Sequence, residues 1–278
     1  MSEREPSVRE RLEGFWDTSH DYYEQARAAN PEVSPERRRL FAHLVGGERV
    51  LDLGAGSCEN ALWLPAGCRF VGLDVSTVAL ATADALDRPG RRVRGDGAAL
   101  PFATASFDAV ISTWALEHFY DPPATFLEAA RVTRPGGLLL FVGSAWNLPW
   151  EMPPSLDPAR RGRVAFTRLA RQLAAAAGGR HLFEVVREPR VLTEGYVPDA
   201  DAVHVPQSWL LGRFLAAAGL EIVALESLPH RSDPPGPRGL LRRALRRVPP
   251  WRHGWGNLYL VARRGPELGS PLADVRSL

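Results

Sequence analysis

An acidic residue and two glycines near position 50 could together bind a charged small molecule. Asp52 follows the apolar residues Val50 and Leu51, and Gly54 and Gly56 come shortly after it. The apolar residues are typical of a central parallel strand, and the glycines allow a sharp turn that brings the backbone close to a ligand. A carboxylate at such a turn would repel a pyrophosphate. It could instead bind the ammonium group of an amino-acid moiety, directly or through water.

The residues after this turn exclude two common nucleotide-binding loops. The segment 59–64 is predicted to be a helix with Ser57 as its N-cap, so unpaired N–H groups would face the ligand. The dinucleotide fingerprint G-x-G-x-x-G is absent, because Glu59 stands where its third glycine should be. A phosphate-binding P-loop requires a lysine, and this chain contains none.

Two further acids follow the next predicted strands. The strand 69–73 ends at Asp74, with Ser76 as the N-cap of a helix over 77–85, and Asp96 follows a third strand. Asp74 lies about 20 residues beyond the glycine turn, a spacing at which an acid reaches ribose hydroxyls. Each Asp alone could be a loop residue or a helix cap. Three at the carboxyl ends of consecutive strands favour a shared ligand.

The motif Asp52-Leu53-Gly54-Ala55-Gly56 resembles motif I of the class I S-adenosylmethionine-dependent methyltransferases. Cys58 stands where this family usually has another small residue. Further blocks resemble the family in its order and spacing over residues 49–143. These blocks are the strand 69–73 with Asp74, the segment 93–98 with Asp96, the strand 106–112 followed by 114–119, and the turn 134–137 before the strand 138–142.

The resemblance implies S-adenosylmethionine as the cofactor and suggests the residues that bind it. The implied cofactor-binding residues are Asp52, Gly54, Ala55, Gly56, Asp74, Val75, Asp96, Gly97, Trp114 and Tyr22. In the family, the acid at Asp96 faces the adenine amino group. An aromatic hydroxyl on an N-terminal helix, here Tyr22, often reaches the cofactor's carboxylate. Packing at a surface seam is the alternative role for that tyrosine.

His118 is the first candidate for a general base, since an imidazole titrates near neutral pH. In the family, the pair Glu117-His118 often only shapes the pocket, so a structural and a catalytic role both stay open. His20 and His204 are weaker candidates, because their flanking segments could fold over the mouth of the site. Neither a metal-ligand spacing nor a G-x-S-x-G motif occurs, and no metal is expected.

The alternation of strands and helices predicts an α/β fold. We expect a doubly wound, Rossmann-like, seven-stranded sheet with its last strand antiparallel and a lid inserted after the fifth strand. The expected parts are an N-terminal helical segment over the cofactor site (1–33, with residues 1–18 loosely held), the cofactor-binding core (34–143), the inserted substrate lid (144–206), the rest of the core (207–264, with a basic insertion at 230–256) and a flexible tail (265–278).

The inserted segment 144–206 is too long for an ordinary connection and too apolar for a disordered one. Its place after the fifth strand puts it over the cofactor crevice, so it is predicted to select the substrate. An insertion that serves oligomerisation is the alternative. The segment 238–255 predicts a basic amphipathic helix followed by Trp251 and Trp255. It could touch an anionic membrane, but a surface helix with solvated arginines is favoured.

The composition limits the partners and the location. The formal net charge is only +2 and all 34 basic residues are arginine, so the basic pI indicates a compositional bias rather than a nucleic-acid partner. Cys58 and Cys68 do not form a secreted disulfide framework. No long apolar stretch or signal peptide is visible, so a cytoplasmic location is expected.

Together these patterns predict methyl transfer to an oxygen or nitrogen atom, rather than to carbon, of a small-molecule or lipid-linked acceptor. A non-catalytic cofactor-binding scaffold is one alternative. A nucleic-acid methyltransferase is another, disfavoured because residues 114–117 read Trp-Ala-Leu-Glu rather than the [DNS]-P-P-[YFW] motif of enzymes that methylate nucleic-acid amino groups.

Overall fold

The computed structural model describes residues 7–29, 33–178, 183–186, 199–228, 236–245, 247 and 256–268. A seven-stranded sheet forms the centre of the described chain. Its strands are β1 (Arg49–Leu53), β2 (Arg69–Asp74), β3 (Arg91–Arg94), β4 (Phe107–Thr113), β5 (Thr133–Gly143), β6 (Leu220–Leu228) and β7 (Asn257–Arg264).

The strand order is β3-β2-β1-β4-β5-β7-β6, and β7 is antiparallel to both of its neighbours. The order changes direction between β1 and β4, where Leu51 pairs with Val110. In open α/β sheets, ligands bind beyond the carboxyl ends of the strands at this point. The predicted fold, with its antiparallel last strand, is therefore confirmed.

Eight α-helices are described. They are α1 (Val8–Thr18), α2 (His20–Ala29), α3 (Pro35–Phe41), α4 (Thr77–Ala85), α5 (Pro122–Val132), α6 (Arg161–Gly178), α7 (Ser208–Ala217) and α8 (Pro237–Leu245). Short 3₁₀ helices cover Glu59–Leu62, Leu116–His118 and Pro158–Arg160. Ser76 caps α4 as predicted, because its hydroxyl accepts the N–H of Ala79. None of the helices in the described ranges is long and apolar enough to cross a membrane.

The N-terminal segment differs from the expectation. Residues 8–18 were expected to be loosely held, but they form α1, which begins with a reciprocal capping box between Ser7 and Glu10. Leu12 on this helix is 1% exposed, so α1 packs firmly against the core.

The described parts of the inserted segment pack against the core. The ring of Phe183 contacts those of Phe126 and Phe214. The main-chain oxygen of Glu117 accepts the N–H groups of Val203 and His204. Parts of the predicted insertion 230–256 and tail 265–278 lie outside the described residues, including Trp251 and Trp255.

Candidate active site

A cleft of about 440 Å³ opens at the carboxyl ends of β1, β2 and β4. Ten of the eleven residues predicted for the site line this cleft. They are Tyr22, Gly54, Ala55, Gly56, Asp74, Val75, Asp96, Gly97, Trp114 and His118. The eleventh, Asp52, is fully buried and does not line it.

The turn after β1 is built from glycines for a steric reason. Gly54 has a φ of 69°, and a Cβ atom there would come within 2.5 Å of the Cβ of Ala115. The main-chain N–H groups of Gly54 and Ala55 both donate to the oxygen of Leu73, which ties the turn to β2. Gly56, with a φ of 52°, has open space where a Cβ would stand. A ligand can therefore approach the backbone of the turn closely.

The predicted N-cap at Ser57 was wrong. Cys58, with a φ of 56°, directly precedes the 3₁₀ helix Glu59–Leu62 and makes no side-chain capping bond. The Ser57 hydroxyl instead donates to Oε1 of Glu59 at 3.3 Å. Only this short helix, rather than the predicted helix over 59–64, follows the turn.

Asp74 is held in place by two main-chain donors. The N–H of Gly56 donates to its Oδ2 at 2.8 Å, and the N–H of Ser76 donates to its Oδ1 at 2.9 Å. Burial raises the pKa of Asp74 above its ordinary value, and these two hydrogen bonds offset part of the rise. The carboxylate thus links the ends of β1 and β2 at the wall of the cleft.

Asp52 lies beneath the cleft and is connected to it through Asn60. The Asn60 amide donates to Asp52 Oδ2 at 2.9 Å, and Asn60 itself lines the cleft. Within the described residues, Asp52 Oδ1 accepts no hydrogen bond. Burial raises the pKa of Asp52 to about 7, although the Asn60 amide and the nearby Arg37 guanidinium act to lower it.

Asp96 is paired with an arginine that sequence reasoning missed. Arg9 on α1 donates from Nη2 to Asp96 Oδ2 at 2.6 Å, and Oδ1 accepts the N–H of Ala98 at 2.8 Å. Because α1 also lines the cleft, this ion pair brings the N-terminal helix to the end of the cleft that Asp96 occupies.

Helices α1 and α2 also meet the inserted segment. Trp16 donates from its indole Nε1 to Asp201 Oδ2 at 2.7 Å, and the Tyr22 hydroxyl donates to Asp201 Oδ1 at 3.4 Å. The main-chain oxygen of Trp16 accepts the hydroxyl of Ser76 at 2.9 Å. Asp201 is 2% exposed, so this junction is buried.

Two carboxyl groups and a histidine form the acidic end of the cleft, beside Asp201. Ligand atoms of Glu117, His118 and Asp199 lie within 4.8 Å of one another, and Nδ1 of His118 is 3.5 Å from Asp201 Oδ2. The Ser144 hydroxyl lies 3.0 Å and 3.1 Å from the two carboxylate oxygens of Asp199. Such a group could hold a cation, or two of its carboxyl groups could share a proton.

Burial and the interactions among neighbouring charges shift the pKa values of the groups at this acidic end. Burial, and then the carboxylate of Asp199, raise the pKa of Glu117 far above its ordinary value. Burial alone would lower the pKa of His118. The carboxylates of Asp201, Glu117 and Asp199 outweigh that effect, so the pKa is raised overall. His118 therefore gains protons more readily than an isolated imidazole.

The two weaker histidine candidates do not join this group. His204 is 2% exposed, its Nδ1 lies 2.9 Å from the oxygen of Leu116, and burial lowers its pKa to about 4. It does not line the cleft. The side chain of His20 lies outside the described residues.

Backbone strain also marks the cleft. Trp114 has a φ of 58° and Asp199 a φ of 61°, and both residues line it. A positive φ is a genuine outlier for a residue as bulky as tryptophan. At Trp114 the conformation is held by an N–H bond to the oxygen of Val142 at 2.8 Å. Strained conformations of this kind cluster at ligand-binding sites.

Several cleft residues were absent from the set of residues predicted from the sequence, and four of them interact with predicted site residues. They include Arg9, Asn60, Asp199 and Asp201, all of which line the cleft. Arg9 and the two aspartates reach the site from outside the recognised blocks. Asn60 could have been found, because a polar residue on the first turn after the glycines faces the same ligand.

Residues 51–141 match the family profile described as a methyltransferase domain. The demethylmenaquinone methyltransferase of Corynebacterium glutamicum is 43% identical over 105 residues, which are 37% of this chain and 45% of that protein. The match therefore spans less than half of this relative.

Solved structures share the fold. The Burkholderia thailandensis 1,6-didemethyltoxoflavin-N1-methyltransferase, with bound 1,6-didemethyltoxoflavin and S-adenosylhomocysteine, aligns with a TM-score of 0.55 at 16% identity. That alignment covers 95% of this chain and 93% of that one. The [4+2]-cyclase SpnF also aligns with a TM-score of 0.55, at 18% identity, covering 94% of this chain and 98% of that one.

Proposed function

We propose that the chain is a class I S-adenosylmethionine-dependent methyltransferase that methylates an oxygen or nitrogen atom of a small-molecule or lipid-linked acceptor. Residues 51–141, which match the profile of a methyltransferase domain, support this proposal. The observation that carries this proposal is that one cleft is lined by the acids at the carboxyl ends of β2 and β3, while the acid of β1 is hydrogen-bonded to Asn60 in the cleft wall. These acids are Asp74, Asp96 and Asp52, respectively.

The side chains fit S-adenosylmethionine, which supplies an activated methyl group on its sulfonium when bound. The cleft volume, about 440 Å³, lies in the range of small-ligand pockets, roughly 300–1,000 Å³. Asp52 offers a buried oxygen without a partner among the described residues, which suits an ammonium group close to Asn60. Arg27 and Arg37, which also line the cleft, suit the carboxylate of the same amino-acid moiety.

Asp74 and Asp96 suit the nucleoside part. The Asp74 carboxylate is fixed by Gly56 and Ser76 and can accept the hydroxyls of a ribose. Asp96 and Gly97 would lie beside the adenine, with Arg9 holding the Asp96 carboxylate in position.

The chain contributes to the reaction mainly by aligning the reactants and excluding water. Such alignment is worth up to about 7–11 kcal/mol of barrier. An acceptor hydroxyl or amine must also lose a proton, and His118 at the acidic end is the proposed base. General-base assistance typically adds about 10²–10⁴-fold to the rate.

The acceptor is proposed to be selected by the inserted segment 144–206. Ser144, Asp199 and Asp201 line the acidic end of the cleft, and all three lie outside the matched residues 51–141. The relative named for demethylmenaquinone matches over less than half its length, so its name suggests a small-molecule acceptor without identifying the one used here.

The proposal is tested with radiolabelled S-adenosylmethionine, purified protein and separate polar and lipid fractions of a bacterial extract. We expect a labelled product and S-adenosylhomocysteine from one fraction, and their loss in Asp74→Ala. A folded protein that does not bind the cofactor in calorimetry would overturn the proposal. Binding without product in any fraction would favour a scaffold or another reaction on the same fold, as in the cyclase neighbour.

A further inference from the structure

Helix α6 exposes two large apolar side chains and buries two polar ones, unlike an ordinary surface helix. On the outside, Phe166 is 74% exposed and Leu173 is 50% exposed. Ala170 lies between them at helical spacing and is also exposed. On the inside, Arg168 and Gln172 are each only 2% exposed.

Specific bonds fix this orientation at Arg168. Its Nε is 2.7 Å from Glu184 Oε2, and its Nη2 donates to the oxygen of Trp146 at 2.6 Å. Its Nη1 donates to the oxygen of Glu151. Rotating the helix would leave this buried cation without its partners, which is strongly unfavourable.

Gln172, one turn further along α6, is also held by hydrogen bonds on the buried side of the helix. Its amide donates to the oxygen of Asn147 at 3.1 Å and to Oε1 of Gln207 at 2.9 Å. The helix therefore cannot turn Phe166 and Leu173 inwards without breaking both sets of bonds.

The exposed charged side chains of α6 are all positive. Arg161, Arg163 and Arg171 are exposed on α6, and Arg160 is exposed immediately before it. The span Arg161–Gly178 contains no acidic residue. An apolar stripe flanked by arginines is the pattern of a helix that lies in the interface of a membrane.

We propose that α6 docks on the surface of an anionic lipid bilayer. Phe166 and Leu173 enter the boundary between headgroups and acyl chains, and the arginines bind lipid phosphates. A second copy of this chain fits the face less well, because pairing two such helices would bring arginines of like charge together. The docking is separate from the proposed methyl transfer and needs no cofactor.

Co-sedimentation with vesicles tests this inference on the full chain. We expect binding to phosphatidylglycerol vesicles at low salt, weak binding to phosphatidylcholine vesicles, and release as the salt concentration rises. Phe166→Ser with Leu173→Ser should weaken binding at least about tenfold. Arg163→Gln with Arg171→Gln should weaken it on anionic vesicles. Val45→Ser with Val223→Ser is the matched control at exposed apolar positions elsewhere, and should leave binding unchanged.

Circular dichroism should first establish that each variant is folded. Wild-type protein that stays in the supernatant with anionic vesicles at low salt would overturn the proposal. Full binding by a folded Phe166→Ser, Leu173→Ser variant would also overturn it. The candidate membrane-binding helix would then be α8. A wild-type dimer in light scattering that these two substitutions convert to a monomer would identify the face as a protein interface instead.

Discussion

Trp16 donates a 2.7 Å hydrogen bond from its indole to the buried carboxylate of Asp201, although the two residues lie 185 positions apart. The same Asp201 oxygen lies 3.5 Å from Nδ1 of His118. One carboxylate therefore joins the N-terminal helix α1, the inserted segment and the proposed base. We expect closure of the cleft and orientation of His118 to depend on it.

Replacing Trp16 with Phe should loosen this junction while keeping a ring in place. Asp201 loses its shortest hydrogen bond, and leaving a buried polar group without its donor costs about 1–3 kcal/mol. Urea denaturation should show that loss, and cofactor affinity should fall with it. Trp209→Phe is the matched control, because the Trp209 indole N–H has no partner among the described residues. Equal stability losses in the two variants would contradict the role given to Trp16.

Asp74→Ala should leave the fold intact and weaken cofactor binding by about 1.5–3 kcal/mol, the scale of a hydrogen bond to a charged group. Isothermal calorimetry measures the change. Asp84→Ala is the control, since Asp84 is an exposed acid on α4 that pairs with Arg92. Unchanged affinity in a folded Asp74 variant would remove this residue from the site.

Cofactor binding should release protons from Asp52. Burial raises the pKa of this carboxyl to about 7, so near pH 7 it is partly protonated in the free protein. An ammonium group bound beside it would lower that pKa and expel the proton. Calorimetry near pH 7 in buffers of different ionisation enthalpy should detect the release, and Asp52→Asn should reduce it. Equal proton release in the two proteins would exclude Asp52 as its source.

The same carboxyl should make stability depend on pH. Because its folded-state pKa is raised above the ordinary value of 3.8, the folded state binds more protons than the unfolded state between those two values. The wild type should therefore lose stability relative to Asp52→Asn as the pH rises from about 4 to about 7. Denaturation midpoints of both proteins across this range would reveal the trend, and parallel curves would refute it.

The pH dependence of turnover should identify His118 as the base. Since its pKa is raised above 6.5 by the surrounding carboxylates, the rate should rise with pH through a pKa above that value. Removing one carboxylate in Asp201→Asn should shift the rise to lower pH, and His118→Gln should remove it. Asp84→Asn serves as the control and should leave the profile in place. A profile that keeps its position in Asp201→Asn would show that Asp201 does not act on the base.

Much of the fold and part of the site geometry follow from local sequence. Strands appear where apolar runs such as Val50–Leu53 end in glycines, and Ser76 caps α4 where a Ser precedes a helical segment. The steric need for Gly54 is also a local matter of backbone conformation. These features depend on neighbours in the chain, whose geometry is nearly independent of the rest of the molecule, and the sequence by itself determined them.

Only the tertiary structure decided which distant side chains meet. The pairs Arg9–Asp96 and Trp16–Asp201 join residues far apart in the chain, and no local sequence pattern predicts them. The raised pKa of Asp52 likewise comes from its burial, which the motif alone does not specify.

Helix α6 shows most directly why local sequence does not determine which side chains are buried. Its sequence places Phe166 and Leu173 on one face and Arg168 and Gln172 on another, and hydrophobicity alone would bury the first pair. The structure buries the second pair, because Glu184 and several main-chain oxygens satisfy it inside the insert. Which face of a helix turns inwards depends on the free energy of contacts with distant partners, and those partners are known only once the chain has folded.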